Sequence, residues 1–158
     1  MKILHLSSEY PPQKVYGLGR AVRELAVAQA ALGHEVHVVT NSMSGSDHET
    51  VDNGVHVHRV SFPPPPKPAD DVTTVVQFNV QIIERVGNAR FAPGVEVIHS
   101  HDWLTGLAGI AVRSMSGAPL VLTVQSRQCR LAAGMALLAG RMAKSAEKLP
   151  YPVDIVGA

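Results

Sequence analysis

Two short segments of the chain carry residue types and spacings that could do chemistry. The first is Gly17-Leu18-Gly19, which ends a long loop after an apolar segment and has Lys14 shortly before it. Glycines at the start of a helix leave backbone amides open at its positive end, where phosphate groups bind. The alternative is that the glycines only form a turn and cap the helix, and composition does not decide between the two. The pattern lacks the third glycine of a dinucleotide fingerprint, which disfavours an NAD site.

The second segment runs from His99 to Trp103, at the carboxyl end of a predicted strand. Open α/β sheets bind ligands at that end of their strands. His99 and His101 lie on one face of an extended chain, so they could hydrogen-bond a polyhydroxylated ligand or assist proton transfer. Asp102 as a helix cap and Trp103 as a core residue are compatible with this role, and we expect both.

Three further residues of reactive type carry no comparable pattern. His56 and His58 form half of a zinc site, but no cysteine or carboxylate stands at a spacing that completes it. We therefore expect solvent-facing strand histidines and no metal. Cys129 lacks the neighbouring motif of a nucleophile. Because it is the single cysteine of the chain, it excludes an internal disulfide and indicates a reducing compartment.

Length and composition predict one α/β domain. Of the 158 residues, 46% are hydrophobic and only 4% aromatic. The core must therefore consist mainly of Val, Leu, Ile and Ala, as in a parallel sheet covered by helices. The net charge of +1 disfavours a general nucleic-acid or membrane surface. The first apolar run is too short for a signal peptide and none reaches the roughly 18 residues of a membrane span, so we expect a cytoplasmic protein.

Strand and helix patterns alternate, which predicts an α/β fold with a doubly wound, Rossmann-like parallel sheet and helices on both faces. Strands are expected at Lys2–Ser8, Glu35–Thr40, Val55–Phe62, Val95–Ser100 and Pro119–Ser126, and helices at Leu18–Leu32, Asp70–Arg90, Trp103–Met115 and Arg130–Lys148. The second helix shows an apolar stripe of Val72, Val75, Val76, Val80, Ile83 and Val86. We interpret Asn41–Gly54 as a loop and Pro63–Pro68 as a stiff connector rather than a recognition sequence. The last nine residues form a short strand or simply trail off.

Beyond these patterns, four stretches together resemble a known family. MKILHLSSEYPP, KVYGLGRAVRELAVAQAALGHEVHVVT, VEVIHSHDWLTGLAGIAV and GAPLVLTV follow one another in this order. They resemble the N-terminal domain of retaining glycosyltransferases of the GT-B fold, in particular the glycogen/starch synthase type. The resemblance covers about residues 1–124. It implies transfer of a sugar, expected to be glucosyl, from an ADP- or UDP-sugar to a glycan acceptor, with no cofactor and no metal.

The resemblance also implies roles for individual residues. The segment that binds the donor's phosphates and sugar in the family corresponds to Lys14, Gly17, Leu18, Gly19 and Arg20. The acceptor side of the cleft corresponds to Glu9, His99, Trp103 and Gln125, and the catalytic positions correspond to His101 and Asp102.

The chain departs from the family in three places. Tyr16 replaces a glycine of the donor segment, and Gln125 replaces a sugar-contacting histidine and cannot act as an acid or base. Beyond Ser126 the sequence no longer follows the family. A true variant, a truncation and a shifted reading frame are three explanations that the sequence leaves open. For Glu9, a solvated loop carboxylate is the alternative interpretation.

We assign residues 1–126 to an acceptor-side sugar-transfer domain and residues 127–158 to a divergent helical tail that forms no separate domain. The family's second domain, which binds most of the nucleotide, has no counterpart in the sequence. We therefore expect nucleotide-sugar and glycan to be partners only through such a domain, the isolated chain to be inactive, and the open face to favour self-association. The alternatives are a non-catalytic sugar- or partner-binding module with this fold, and a sugar-nucleotide epimerase of the same architecture.

Overall fold

The computed structural model describes residues 1–13, 16–61, 71–124 and 153–157. Its strands are β1 (Lys2–Leu6), β2 (Glu35–Asn41), β3 (His48–Asp52), β4 (Val55–Val60), β5 (Val97–His101), β6 (Leu120–Val124) and β7 (Val153–Gly157), and its helices are α1 (Gly17–Ala31), α2 (Asp71–Gly87) and α3 (Gly106–Ser116). A 3-10 turn, Trp103–Thr105, precedes α3. None of the helices within the described ranges combines the length and hydropathy needed to cross a membrane. The predictions for Lys14, Gln125, Cys129, the proline run and the helix at 130–148 fall outside the described residues.

The strands form one sheet with β1 at its centre. The strand order is β3-β4-β2-β1-β5-β6-β7, and every neighbouring pair is parallel except β3 with β4. The prediction of a Rossmann-like parallel sheet is therefore confirmed. From β1 the chain first builds the side that contains β2 and then crosses to the side that contains β5. Such a reversal opens a crevice between the carboxyl ends of β1 and β5, where sheets of this kind bind ligands.

Alternating side chains divide the core into two layers, one on each face of the sheet. Leu4 faces α2 and α3, in a cluster that includes Phe78, Ile82, Ile98, Val112 and Leu120. Val38 faces α1, in a cluster that includes Tyr10, Val22, Ala26, Val36 and Val57. Because the register pairs Leu4 with His37 and His5 with Val38, His5 lies on the α1 face and His37 on the α2 face.

The segment 41–54, which we predicted to be a loop, contains strand β3, and that prediction is wrong. Residues His48–Asp52 pair antiparallel with β4 and form the edge of the sheet. The turn between the two strands places Asn53 at φ 48° and Gly54 at φ 85°. Two consecutive positive φ angles are typical of a tight hairpin turn, for which Asn-Gly is the preferred sequence. The Asn53-Gly54 dipeptide was thus the signal for this hairpin.

The apolar stripe predicted for α2 is rotated relative to the face that is buried. Val72, Val76 and Val80 are 47%, 44% and 50% exposed, whereas Phe78, Ile82 and Val86 are buried. The buried side also includes Asn79, whose side-chain amide donates to the carbonyls of Val75 and Leu104 and accepts from the Ala108 N–H. The predicted stripe thus includes the buried Val86 and the half-buried Val75 and Ile83, but it also includes three exposed valines. It omits Asn79, a polar residue whose bonds to α3 help to orient the helix.

Replacing Asn79 with leucine is expected to lower the free energy of unfolding by about 2 kcal/mol, because buried backbone groups lose their partners. Its amide nitrogen lies 2.8 Å from the carbonyl oxygen of Leu104 in the 3-10 turn, and its amide oxygen lies 2.8 Å from the backbone nitrogen of Ala108 in the first turn of α3. Urea unfolding followed by circular dichroism measures the loss. Val80→Leu, at a half-exposed position of the same helix, serves as the control and should change little. Equal stability of the Asn79 variant and the wild type would contradict this role.

The two histidines of strand β4 have different environments, and the prediction that both face solvent is wrong for His58. His56 is exposed, whereas His58 is buried together with His37 of β2. The Phe91 ring stacks at 4.6 Å from the His37 ring and 4.1 Å from the His58 ring, measured between centroids. The loop after α2 therefore covers this part of the sheet, which the pattern of β4 alone could not show.

Acidification is expected to weaken the fold through His58. Burial lowers the pKa of His58 to about 4, against the opposing influence of Glu49, while His37 and Arg85 lower it further. In the unfolded chain the histidine pKa is 6.5, so the unfolded state binds more protons between pH 6.5 and about 4. The contribution of His58 is complete above that window and falls by about 1.4 kcal/mol per pH unit as the pH drops through it. Urea unfolding across the window measures the slope, and His58→Gln should reduce it by the share of His58, since His5, His37, His99 and His101 also have lowered pKa values. An unchanged slope would count against the assignment.

Candidate functional site

Thr105 ties together the carboxyl ends of β1 and β5. Its buried hydroxyl lies 3.2 Å from the Leu6 carbonyl oxygen, 2.9 Å from the His101 carbonyl oxygen and 2.8 Å from the Ser100 hydroxyl. Leu6 ends β1 and His101 ends β5. One side chain therefore fixes the spacing of the two strands at the point where the order of the sheet reverses. Sequence reasoning did not single out this threonine.

Glu9 caps helix α1 from the loop that follows β1. Its Oε2 accepts hydrogen bonds from the backbone N–H of Tyr16 at 2.9 Å and of Gly19 at 3.3 Å. Helix α1 has no acidic residue in its first turn, and Tyr16 at the N-cap provides no side-chain bond. The Glu9 carboxylate thus supplies the negative charge that a helix N-terminus favours. The Gly19 amide, which the sequence suggested to be open to a phosphate, is already bonded, and Glu9 is a cap rather than a freely solvated carboxylate.

A buried polar cluster holds the rest of this loop on the sheet. Arg59 of β4 is 3% exposed and donates to the carbonyl oxygens of Tyr10 at 3.3 Å and Pro11 at 2.6 Å. The Tyr10 hydroxyl donates to Asp52 at 3.1 Å, and Asp52 also accepts two hydrogen bonds from Arg23 of α1. Burial, aided by the Asp52 carboxylate, raises the pKa of Tyr10 above its usual range. The hydroxyl therefore stays a donor, and the loop conformation depends on side chains from β3, β4 and α1.

The predicted donor-side residues occupy different environments at the start of α1. Gly17 is exposed and a Cβ there would meet nothing within 4 Å, whereas Gly19 is buried. Leu18 packs against the core layer under α1. Arg20 points outward and forms an ion pair with Glu24 at 2.8 Å. Arg20 and the prolines of the loop line an open groove of about 670 Å³ between α1 and β3. Gly17 and Arg20 are thus exposed, while Leu18 and Gly19 serve packing.

The predicted acceptor-side histidines form a stack with a third ring that sequence reasoning missed. The His99 and His101 rings lie 4.0 Å apart, and His5 of β1 lies 5.3 Å from His99 and 5.2 Å from His101, between centroids. The register pairs His5 with His99, which brings residues 94 positions apart onto the same face of the sheet. His5 Nδ1 lies 2.9 Å from His101 Nε2, and His99 Nε2 lies 2.7 Å from the Thr123 hydroxyl.

The environment of His101 changes the chemistry expected of it. Burial, with smaller contributions from His99 and His5, lowers the pKa of His101 to about 2. The ring is therefore neutral at physiological pH, which does not fit a general acid acting through an imidazolium. A neutral ring still donates and accepts hydrogen bonds. The neutral ring supports hydrogen bonding and positioning by His101, and its catalytic role stays a prediction.

Asp102 and Trp103 have the structural roles expected for them. Asp102 Oδ1 accepts a hydrogen bond from the Trp103 N–H at 2.8 Å, and Trp103 is 7% exposed. Asp102 also adopts φ 63° and ψ 169°, a backbone combination found almost only at glycine, which costs other residues about 1–3 kcal/mol. Its backbone N–H donates to the Thr123 carbonyl oxygen at 2.7 Å, so the turn after β5 is fixed to β6.

A second cavity lies far from these residues. It has a volume of about 380 Å³ and is lined by the ends of α2 and α3 and by residues 92–95, before β5. Helices that cross back over a parallel sheet end at the amino edge of its strands, opposite the edge where such sheets bind ligands. Geometry thus favours the β1–β5 carboxyl edge as the candidate site.

Comparison with known proteins decides the family. A model of the glycosyl transferase 4-like domain matches residues 16–151, which is most of the chain. The chain belongs to this family. The match includes the first turn of α1 and the segment from His99 to Trp103, whereas His5 and Glu9 precede the matched residues.

Two relatives of this glycosyl transferase 4-like domain show how much of a larger protein it represents. It is 35% identical over 134 residues to D-inositol 3-phosphate glycosyltransferase of Arthrobacter sp. (strain FB24), covering 79% of this chain and 32% of that protein. It is 32% identical over 149 residues to glycogen synthase of Mycobacterium tuberculosis (strain ATCC 25618 / H37Rv), covering 81% of this chain and 34% of that protein. The chain therefore spans about a third of the length of these relatives.

Solved structures confirm the GT-B resemblance at the level of the fold. Sucrose-phosphate synthase from Thermosynechococcus elongatus superimposes with a TM-score of 0.64 at 16% identity, covering 99% of this chain and 48% of that one. The catalytic domain of starch synthase IV from Arabidopsis thaliana, bound to ADP and acarbose, superimposes with a TM-score of 0.57 at 18% identity. The match covers 78% of this chain and 34% of that one. The recognition of the family from sequence motifs is therefore confirmed.

Proposed function

We propose that this glycosyl transferase 4-like domain forms the acceptor-side wall of a retaining glycosyltransferase. The reaction moves a hexosyl group, which we take to be glucosyl, from an ADP- or UDP-sugar to a glycan. The observation that carries the proposal is the convergence of the Glu9 loop and the segment from His99 to Trp103 at the β1–β5 switch point. Because this edge is where parallel α/β sheets bind ligands, a sugar-transferring family would place its substrates there.

On this proposal, the histidines orient sugar hydroxyls. Neutral imidazoles offer one donor and one acceptor each, which suits hydroxyl groups that both donate and accept. His99 is partly exposed and therefore accessible to an acceptor, whereas His101 lies behind it. Since the carboxylates of Glu9 and Asp102 already bond backbone amides, we assign them to positioning of the loop and the turn.

Donor binding is proposed for the start of α1. Gly17 has open space above it and Arg20 carries an exposed guanidinium, so a diphosphate could approach both. The Glu9 carboxylate, which holds the neighbouring amides, keeps the first turn in a defined conformation. Lys14, by its place in the sequence, would add a further positive charge. Binding energy from both lobes of a cleft is needed to stabilise the transition state, so we propose negligible turnover by the 158-residue chain alone.

A second acceptor class has support from one comparison. The relative from Arthrobacter that is 35% identical is a D-inositol 3-phosphate glycosyltransferase, so a phosphorylated polyol is a candidate acceptor beside a glycan. Both acceptors present several hydroxyls to the histidine edge, and they differ in charge. Competition between the two in one assay therefore separates the candidates.

A domain exchange tests the proposal. This chain replaces the homologous third of the Mycobacterium tuberculosis glycogen synthase, and hexosyl transfer from ADP-glucose and UDP-glucose is measured with glycogen and with inositol 3-phosphate. We expect transfer to one of them, and a loss of it in Gly17→Arg, which fills the open space above the first turn. Thermal melting verifies that each chimera is folded. A folded chimera that binds oligosaccharide by calorimetry and transfers nothing indicates the non-catalytic module, and acceptor-independent isomerisation of the donor indicates an epimerase.

A further inference from the structure

The stack of His5, His99 and His101 brings three metal-binding side chains to one point of the fold. One ring nitrogen from each lies within 4.8 Å of the other two, and within the described residues no other group of three His, Cys, Asp or Glu side chains meets this spacing. The rings come from two neighbouring strands, β1 and β5, whose backbones are fixed by parallel pairing. Strand-borne ligands of this kind are held more rigidly than ligands on a loop.

The hydrogen bonds around the stack define which nitrogens are free. His5 Nε2 lies 2.7 Å from Gln29 Oε1, an acceptor, so this nitrogen carries the proton. His5 Nδ1 of the neutral ring must then accept, and the donor at 2.9 Å is His101 Nε2. This leaves His101 Nδ1 with a lone pair, and that atom is buried without a hydrogen-bond partner. A bare nitrogen on a side chain that is 2% exposed is costly unless something else binds the cluster.

The surroundings resemble those of metal-ligating histidines. In such sites the second ring nitrogen is held by an oxygen, which fixes the tautomer and orientation of the ring. Gln29 holds His5 in this way, and the Thr123 hydroxyl lies 2.7 Å from His99 Nε2. The bond to Thr123 leaves His99 Nδ1 for a cation, whereas His5 Nδ1 becomes a ligand when a cation replaces its hydrogen bond from His101 Nε2.

We propose that His5, His99 and His101 form a binding site for a divalent transition metal of the Zn²⁺ type. Three imidazoles suit zinc, with a fourth position left for water. Ligand nitrogens of tetrahedral zinc lie about 3.4 Å apart, so spacings of up to 4.8 Å close by about 1.5 Å or less through side-chain rotation. The bound cation joins β1 to β5 beside the proposed acceptor edge, and it engages His101, which is then no longer available to a sugar hydroxyl. A bound cation therefore rigidifies the β1–β5 switch point and, on the proposed function, opposes sugar transfer.

The second histidine stack provides a matched internal control. His37, His56 and His58 also lie side by side on neighbouring strands, with ring centroids 5.0 and 5.3 Å from His37. Their outer nitrogens face carboxylates instead, since His37 Nε2 lies 3.0 Å from Glu35 and His58 Nδ1 lies 3.2 Å from Glu49. This stack has the same composition and likewise contains a buried nitrogen without a hydrogen-bond partner, His58 Nδ1. Its third ring, His56, is exposed, and the stack does not meet the spacing of a three-ligand site.

Metal titration of the untagged, chelator-treated protein tests the proposal without any transferase assay. We expect one Zn²⁺ per chain by calorimetry, and with Co²⁺ the strong visible absorption of a tetrahedral site. His99→Gln, at a partly exposed position, should reduce affinity by more than the roughly 10- to 100-fold that loss of an outer partner costs. Gln29→Leu should weaken binding within that range and keep the cobalt spectrum. His37→Gln should leave binding unchanged.

Three outcomes would overturn the proposal. The first is binding of well under one Zn²⁺ per chain, and the second is a Zn²⁺ affinity that His99→Gln and His5→Gln leave intact. The third is a loss of Zn²⁺ binding in His37→Gln that equals the loss in His99→Gln. Circular dichroism and melting temperature of each variant separate loss of a ligand from loss of the fold. Because the readout is metal binding, its failure leaves the proposed sugar transfer untouched, and a failed domain exchange leaves the metal site untouched.

Discussion

Replacing Arg59 with methionine is expected to lower the free energy of unfolding by about 4 kcal/mol and to release the loop after β1 from the sheet. The Arg59 guanidinium is buried under this loop and donates to the carbonyl oxygens of Tyr10 and Pro11. Methionine has a similar length but donates nothing, so both carbonyls lose this partner, at about 1–3 kcal/mol each. The Arg59 guanidinium also lies 6.0 Å from the centre of the Tyr10 ring, so a cation–π contact is lost as well.

Two measurements separate the effect on stability from the effect on the loop. Urea unfolding gives the change in free energy, and amide hydrogen exchange of residues 7–13 reports release of the loop under native conditions. Arg20→Met is the control, because the Arg20 side chain is 80% exposed and pairs only with a neighbour on the same helix, so its loss should cost less than about 0.5 kcal/mol. Arg59→Lys keeps the positive charge but loses the planar guanidinium with its several N–H donors, so its free energy of unfolding should lie between those of the wild type and Arg59→Met. Equal losses in Arg59→Met and Arg20→Met would remove the basis for this anchor.

Replacing Gly109 with valine is expected to cost about 3 kcal/mol, by forcing helix α3 away from the sheet. A Cβ at position 109 would lie 3.0 Å from Ser100 Cβ and 3.1 Å from Leu120 Cδ1, tighter than nine in ten Cβ contacts in proteins. Ser100 stands between the two histidines of β5, and its hydroxyl binds Thr105 at 2.8 Å. Displacement of α3 therefore also disturbs the edge where we place the acceptor.

Alanine substitutions at two glycines give a test with opposite signs. Helix propensity alone favours alanine over glycine by about 1 kcal/mol. At Gly17, the first residue of α1, nothing lies within 4 Å of the added carbon, so Gly17→Ala should be neutral or slightly stabilising. At Gly109 the contact outweighs propensity, and Gly109→Ala should destabilise by about 1 kcal/mol or more. Thermal melting of both variants measures the difference, and a stabilised Gly109→Ala would contradict the close packing of α3 on Ser100 and Leu120.

Local patterns were sufficient for most of the scaffold. Runs of apolar β-branched residues located β2 and β4, helical spacing located α1, and glycines stand where α1 and α3 end, with Gly33 at φ 86° and Gly117 at φ 75°. Periodicity and turn chemistry act over a few residues, so a single sequence contains them in full. Alternation of these elements then implied the parallel sheet. The cap role of Asp102 could be read in the same way, because a cap and its amide are neighbours in the chain.

Tertiary structure decided the chemistry of the site. The sequence by itself placed His99 and His101 on one face of a strand, but only the pairing of β1 with β5 brought His5 to them from 94 positions away. Likewise Arg59 reaches the Tyr10 carbonyl across 49 positions, and Glu9 reaches the start of α1 only because that loop folds back. Burial then set the pKa of His101 and turned α2 so that Asn79, and not Val80, faces the core. Such properties depend on which distant segments meet and on how much water they exclude, and neither quantity is encoded within one window of the chain.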